Sequence, residues 1–142
     1  MNDLYENELS ADNPDEEPTP DNKPSFIQII IINILQLIAI RRFKMNIMPV
    51  TMKWLVHRIK EKFRKEEVSK VAVCDIQTML NSNINAVSMH ELLNKGYTHI
   101  IAEVNSSGKV IDIELLRDSN DVPDEQVDYF INRTGEGIVV IS

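Results

Sequence analysis

Apolar positions follow three different patterns along the chain. Phe26 to Ile40 reads FIQIIIINILQLIAI, with no charged residue. As a helix it covers about two-thirds of a hydrocarbon core, which takes roughly 20 residues. Length therefore argues against a membrane span. The flanks argue for one: the chain before it is acidic, and Arg41, Arg42 and Lys44 follow at once, the asymmetry expected of a cytoplasmic side. Gln28, Asn33 and Gln36 share one sector of a helical wheel. In a membrane they would form an interhelical hydrogen-bonding stripe; in water they would mark the wetter side of a core or oligomer helix. The run Ile29–Ile32 also suits a strand. The residues of this segment are compatible with all three placements.

Met52 to Lys65 has the helical period. Met52, Leu55, Val56, Ile59 and Phe63 fall on one face, and Lys53, Arg58, Lys60, Lys62, Arg64 and Lys65 cover the rest. A basic amphipathic helix of this kind can lie on an anionic membrane surface or pack its apolar face on a neighbouring domain.

From Val68 to Ser142 short local signals follow one another. Val71–Cys74 is an apolar run with the length of a buried strand. Asp75 is placed to cap a short helix carrying Ile76, Met79 and Leu80. Ser88 and Glu91 form an S-x-x-E capping box, which predicts a helix from Met89, and Gly96 stands where a helix stops. Thr98–Val104 and Lys109–Leu116 alternate around Asn105–Gly108, a hairpin pattern. The alternation puts Ile100, Ala102 and Val104 on one face with Ile111, Ile113 and Leu115, and His99, Glu103, Asp112 and Glu114 on the other. Asp121 is the expected cap of the next helix, whose inward stripe is Val127, Phe130, Ile131 and Thr134. Ile138–Ile141 is apolar on both sides, which predicts an interior strand. The order is β-α-α-β-β-α-β. It predicts an α+β domain of two layers, about four strands with helices on one face, preceded by the apolar segment and the basic helix. Ile113, Phe130 and Val140 are its expected core anchors.

Charge sharpens this division. Residues 1–25 sum to −7, residues 41–70 to +7 and residues 71–142 to −7. The tail 1–25, rich in Asp, Glu, Asn and Pro, holds too little apolar surface to offset the entropy of ordering. The expected divisions are the acidic tail 1–25, an apolar segment with basic flank 26–50, the basic helix 51–67 and the α+β domain 68–142. The acidic stretches flanking the basic helix argue against nucleic acid as a partner. A single cysteine, Cys74, excludes an internal disulfide.

Candidate chemistry is sparse. A tight turn would set Glu103 opposite Asp112, with Glu114 two residues along. Like charges so opposed are unfavourable, and a divalent cation is one way to answer them; the alternative is an ordinary polar sheet face. His57, His90 and His99 show no ligand spacing. No phosphate-binding glycine loop, nucleophile elbow or zinc pattern occurs. With no catalytic pattern and no cofactor indicated beyond that cation, the chain order predicts a non-enzymatic interaction or regulatory protein. It would be held at the cytoplasmic face of a membrane by Lys53, Arg58, Lys60, Lys62, Arg64 and Lys65, with the membrane surface or another protein as partner. The alternatives are a cytoplasmic α+β protein that forms homo-oligomers through 26–40, and a divalent-metal-dependent hydrolase using Glu103, Asp112 and Glu114.

Overall fold

The apolar run becomes a helix because Ser25 caps it. The Ser25 hydroxyl accepts the Gln28 N–H at 3.1 Å, and the Ser25 N–H donates to the Gln28 side chain at 2.9 Å, which satisfies two orphan donors of the first turn. This helix, α1 (Phe26–Ala39), is the first element of a computed structural model that describes residues 25–82 and 86–142. The expected tail lies outside the described residues but for Ser25. The chain continues as β1 (Lys44–Met48), α2 (Met52–Phe63), β2 (Lys70–Asp75), α3 (Ile76–Asn81), α4 (Val87–Asn94), β3 (His99–Val104), β4 (Val110–Asp118), α5 (Glu125–Ile131) and β5 (Ile138–Ile141).

The architecture is α+β, with five strands rather than about four. They form one mixed sheet in the order β1-β4-β3-β2-β5, with β1 parallel to β4 and every other pair antiparallel. Helices cover both faces, so there are three layers where two were expected. On one face Ile30, Ile34 and Ile38 of α1, Met79 of α3, and Met89 and Leu92 of α4 pack on Ala72, Cys74, Ile100, Ala102, Ile113 and Leu115. On the other, Leu55 and Ile59 of α2 and Val127 and Ile131 of α5 pack on Val71, Val73, Ile101 and Leu116. The expected boundary near residue 67 is crossed on both faces. The buried Ile30, Ile34 and Ile38 of α1 recur every four residues with Ile31 beside them, a helical stripe, while Ile29 and Ile32 of the same run stay exposed. Among the described residues no helix is long and apolar enough to cross a membrane.

Several local expectations change. The final strand β5 is an edge, not interior. Its two-sided apolar pattern reflects cover on both faces, Ile138 and Val140 against one core and Val139 and Ile141 against the other. Helix α4 starts at Val87 with Ala86 as its uncapped N-cap, so the Ser88 box does not set its start. Asp124, not Asp121, caps α5 by accepting the Gln126 N–H. Phe130 is only partly buried; Val127 and Ile131 are the residues α5 commits to the core. The hairpin register slips between Glu103 and Val104, so that Glu103 faces Asp112 while Val104 faces Val110. Such a bulge leaves one residue over, and Ile111 therefore joins the core opposite to that of Ile113.

At the carboxyl end of β2 the backbone is fixed from two sides. The Asp75 N–H donates to the Gly137 carbonyl at 2.8 Å, and the Asp75 side chain caps α3 through the Thr78 N–H. Gly137 has φ +80°, and a Cβ there would lie 2.7 Å from the Met79 nitrogen, so no other residue fits without displacing α3.

Candidate functional site

The hairpin carboxylates come together as the alternation requires, but α2 answers their charge. Glu103 and Glu114 are 2% and 1% exposed. Lys62, itself only 6% exposed, reaches Glu103 at 3.2 Å and Glu114 at 3.1 Å. Lys65 donates to both oxygens of Glu103 at 3.1 and 3.0 Å. Arg58 makes a two-pronged contact with Glu114 at 3.1 and 2.9 Å, a strong, directional form of ion pair, and Asn46 of β1 adds a bond at 2.8 Å. Asp112 has Lys44 at 3.8 Å. Protein cations thus stand where the sequence suggested a divalent ion at Glu103, Asp112 and Glu114. Of the six cations expected at a membrane surface, Arg58, Lys62 and Lys65 bind sheet carboxylates, while Lys53, Lys60 and Arg64 stay on the outer face of α2 without such a contact to the sheet.

The network sets an acid limit on stability. Burial pushes the Glu114 carboxyl up, but the Arg58 guanidinium, the Asn46 amide and the Lys62 ammonium outweigh it and hold it at about 2, against an ordinary 4.5. The folded state therefore binds fewer protons than the unfolded state between those values. The contribution, about 3 kcal/mol, is present above pH ~4.5 and is lost as pH falls toward 2. Thermal midpoints recorded across that window should fall more steeply for the wild type than for Glu114→Gln. Equal slopes would mean that Glu114 does not contribute.

A second cluster was not anticipated. It sits at the sheet edge formed by the carboxyl ends of β2 and β4 and the start of β3. Asp75 and His99 are cross-strand partners, and Asp128 is supplied by α5, which packs on that face through Val127 and Ile131. One ligand atom from each of Asp75, His99 and Asp128 lies within 4.8 Å of the other two. A cavity of about 430 Å³ opens beside them, with Asp118, Thr98 and Asn132 also in its wall.

The electrostatics of the cluster are lopsided. Burial pushes His99 down, toward the neutral imidazole, against the pull of Asp75, Asp118 and Asp128. Burial and the neighbouring Asp75 push the Asp128 carboxyl up, while His99 opposes them. Two side-chain atoms of residues that line the cavity are buried with no hydrogen-bond partner, His99 Nε2 and Asn132 Oδ1. Unpaired buried polar atoms are rare and call for a reason.

No protein family model, curated protein or solved structure matches the chain. The site rests on its own geometry.

Sequence reading missed this cluster because its members stand far apart in the chain and are joined only by strand pairing and by the seat of α5. A usable signal existed in part: Asp75 ends an apolar strand, where open sheets of mixed or parallel type often place their chemistry.

Proposed function

We propose that this protein binds one divalent transition-metal ion through Asp75, His99 and Asp128 and presents it to a small ligand in the adjoining cavity. The observation that carries this is His99. The residue is 6% exposed, its Nε2 has no partner, and the carboxylates of Asp75 and Asp128 lie beside its ring. Its other nitrogen is held: Nδ1 lies 2.7 Å from the Thr98 hydroxyl. That hydroxyl accepts the Asp118 N–H at 3.2 Å and directs its own proton to the Leu116 carbonyl at 3.3 Å. With Nδ1 as the donor to Thr98, Nε2 keeps its lone pair. Metal-binding histidines are oriented in this way by their second nitrogen.

One imidazole and two carboxylates suit zinc, manganese or ferrous iron better than magnesium or calcium, which take all-oxygen sites. Bonds of about 2.1 Å put tetrahedral ligands roughly 3.4 Å apart, so the three side chains need to draw together only modestly. Three protein ligands leave coordination positions for water or another molecule, as in catalytic rather than structural sites. A loaded metal would supply a Lewis acid to whatever enters the cavity.

Isothermal titration of the full chain with zinc and manganese tests the assignment. One equivalent should bind, and His99→Ala or Asp128→Asn should weaken binding by about 100-fold or more. Absence of binding, or binding unchanged in His99→Ala, would remove the site. A membrane-held interaction protein, the expectation from chain order, has weaker support: the buried face of α1 lies on the sheet, and half of the named cations pair with sheet carboxylates.

A further inference from the structure

We infer that a cleft between α1 and the hairpin of β3 and β4 takes an extended acidic segment, and that residues 1–24 of this chain are the segment it takes. The cleft lies apart from the metal cluster, and no residue lines both.

The cleft has a volume of about 600 Å³, and its charged members are Arg42 and Lys109. Among the described residues no Asp or Glu lines it, and neither cation meets a carboxylate. In a chain of net charge −7 this local reversal of sign attracts acidic groups. Amides stand between the cations. Asn33 and Gln36 line the cleft and, three apart on α1, share one side of the helix. Asn105 lines it from the hairpin turn. Its Oδ1 accepts the Ser107 and Lys109 N–H groups at 3.1 and 2.9 Å, which leaves the NH2 group as the donor it can offer a carboxylate. The hairpin wall is also an open sheet edge. β1 pairs with β4 only from Glu114 to Asp118, so Val110–Ile113 have no strand on that side. Extended chain aligns readily at such an edge.

The place where residues 1–24 join the fold selects them as the occupant. Phe26, the first residue of α1, covers the hairpin turn: a Cβ on Gly108 would lie 3.7 Å from its ring. The segment therefore enters beside Lys109. It carries eight acids and one lysine. The chain from Glu17 to Ser25 can span about 26 Å, and the 14 residues of α1 extend about 21 Å. Asp15, Glu16 and Glu17 can thus reach Arg42 as well as Lys109. A tether of this length holds the acids at roughly millimolar effective concentration, which favours them over a free anion. The other basic surface, Lys53, Lys60 and Arg64 on the outer face of α2, lies across the sheet from α1.

Carbodiimide coupling of the full-length protein tests this, because it joins a lysine ammonium to a carboxylate only where the two touch. Mass spectrometry locates the links, and a mixture of 15N-labelled and unlabelled chains separates links within a chain from links between chains. Lys109 should link to Asp15, Glu16 or Glu17 of the same chain, with a yield that falls at high salt. Arg42→Glu removes no reacting group, yet it should lower that yield about fivefold, the scale of one exposed ion pair, with the thermal midpoint unchanged. Absence of links to Lys109, links from residues 1–24 that favour Lys53 or Lys60, links found only between chains, or a yield unchanged in Arg42→Glu would overturn the inference.

Discussion

Lys62→Met should destabilise the protein by about 3 kcal/mol, one of the two largest effects expected here. The ammonium of Lys62 lies between Glu103 and Glu114, two carboxylates almost without solvent. Methionine fills a similar volume but leaves the pair facing each other in a medium of low polarity. Breaking a buried ion pair from one side costs about 3–5 kcal/mol, because the remaining charge loses both water and partner. Lys65 on Glu103 and Arg58 on Glu114 should hold the loss near the lower bound. Urea, rather than guanidinium, is the suitable denaturant, since it does not screen the charges. Adding Glu103→Gln to Lys62→Met should restore part of the loss by removing one of the two stranded charges. If Lys62→Met unfolds at the same urea concentration as the wild type, the ion network is no stronger than the apolar contact that replaces it.

A chain beginning at Met52 should lose cooperative unfolding. By sequence, the caps, hairpin and final strand are all internal to residues 68–142, which alone suggests a unit able to fold without the first 51 residues. The packing sets the opposite expectation. Ile30, Ile31, Ile34 and Ile38 of α1 and Val50 are buried in the two cores, and β1 pairs with β4 along five positions. Burying an aliphatic side chain contributes about 1.5–3 kcal/mol, so these five represent roughly 10 kcal/mol of gross stabilisation. The entropy saved by not ordering the segment offsets part of that, but whole domains have only about 5–15 kcal/mol to lose. The truncation would also remove Asn46 from Glu114 and the Val50 N–H from Asp118. Urea unfolding followed by circular dichroism distinguishes the cases. Ile34→Ala in the full chain is the milder companion, expected to cost about 2–5 kcal/mol. A cooperative truncated protein together with a silent Ile34→Ala would mean that α1 does not belong to the core.

Much of the fold was legible wherever neighbours in sequence are neighbours in space. The hairpin of β3 and β4, the short strands β2 and β5, the Asp75 cap and the period of α2 all depend on alternation, capping or helical spacing within about a dozen residues. Even the opposition of Glu103 to Asp112 followed from hairpin geometry. β1 was not legible, because the alternation of Lys44–Met48 is short, its apolar Met45 and Ile47 lie exposed, and it is a strand only through β4, which lies some 70 positions later. Nor could local pattern say whether the two-sided apolar strand β5 stood inside the sheet or at its covered edge.

By itself the sequence determined which segments are helices and strands over most of residues 52–142, and that Glu103, Asp112 and Glu114 share a face. Those properties follow from side-chain period and backbone preference, which act over a turn or a hairpin. Tertiary structure alone decided that helices cover both faces and that α1 packs on the sheet. It alone turned Arg58, Lys62 and Lys65 inward onto carboxylates that looked like a metal site. It also brought Asp75, His99 and Asp128 together, because strand order and the seat of α5 depend on burying both faces of the sheet at once. No residue can register that condition from its neighbours in sequence.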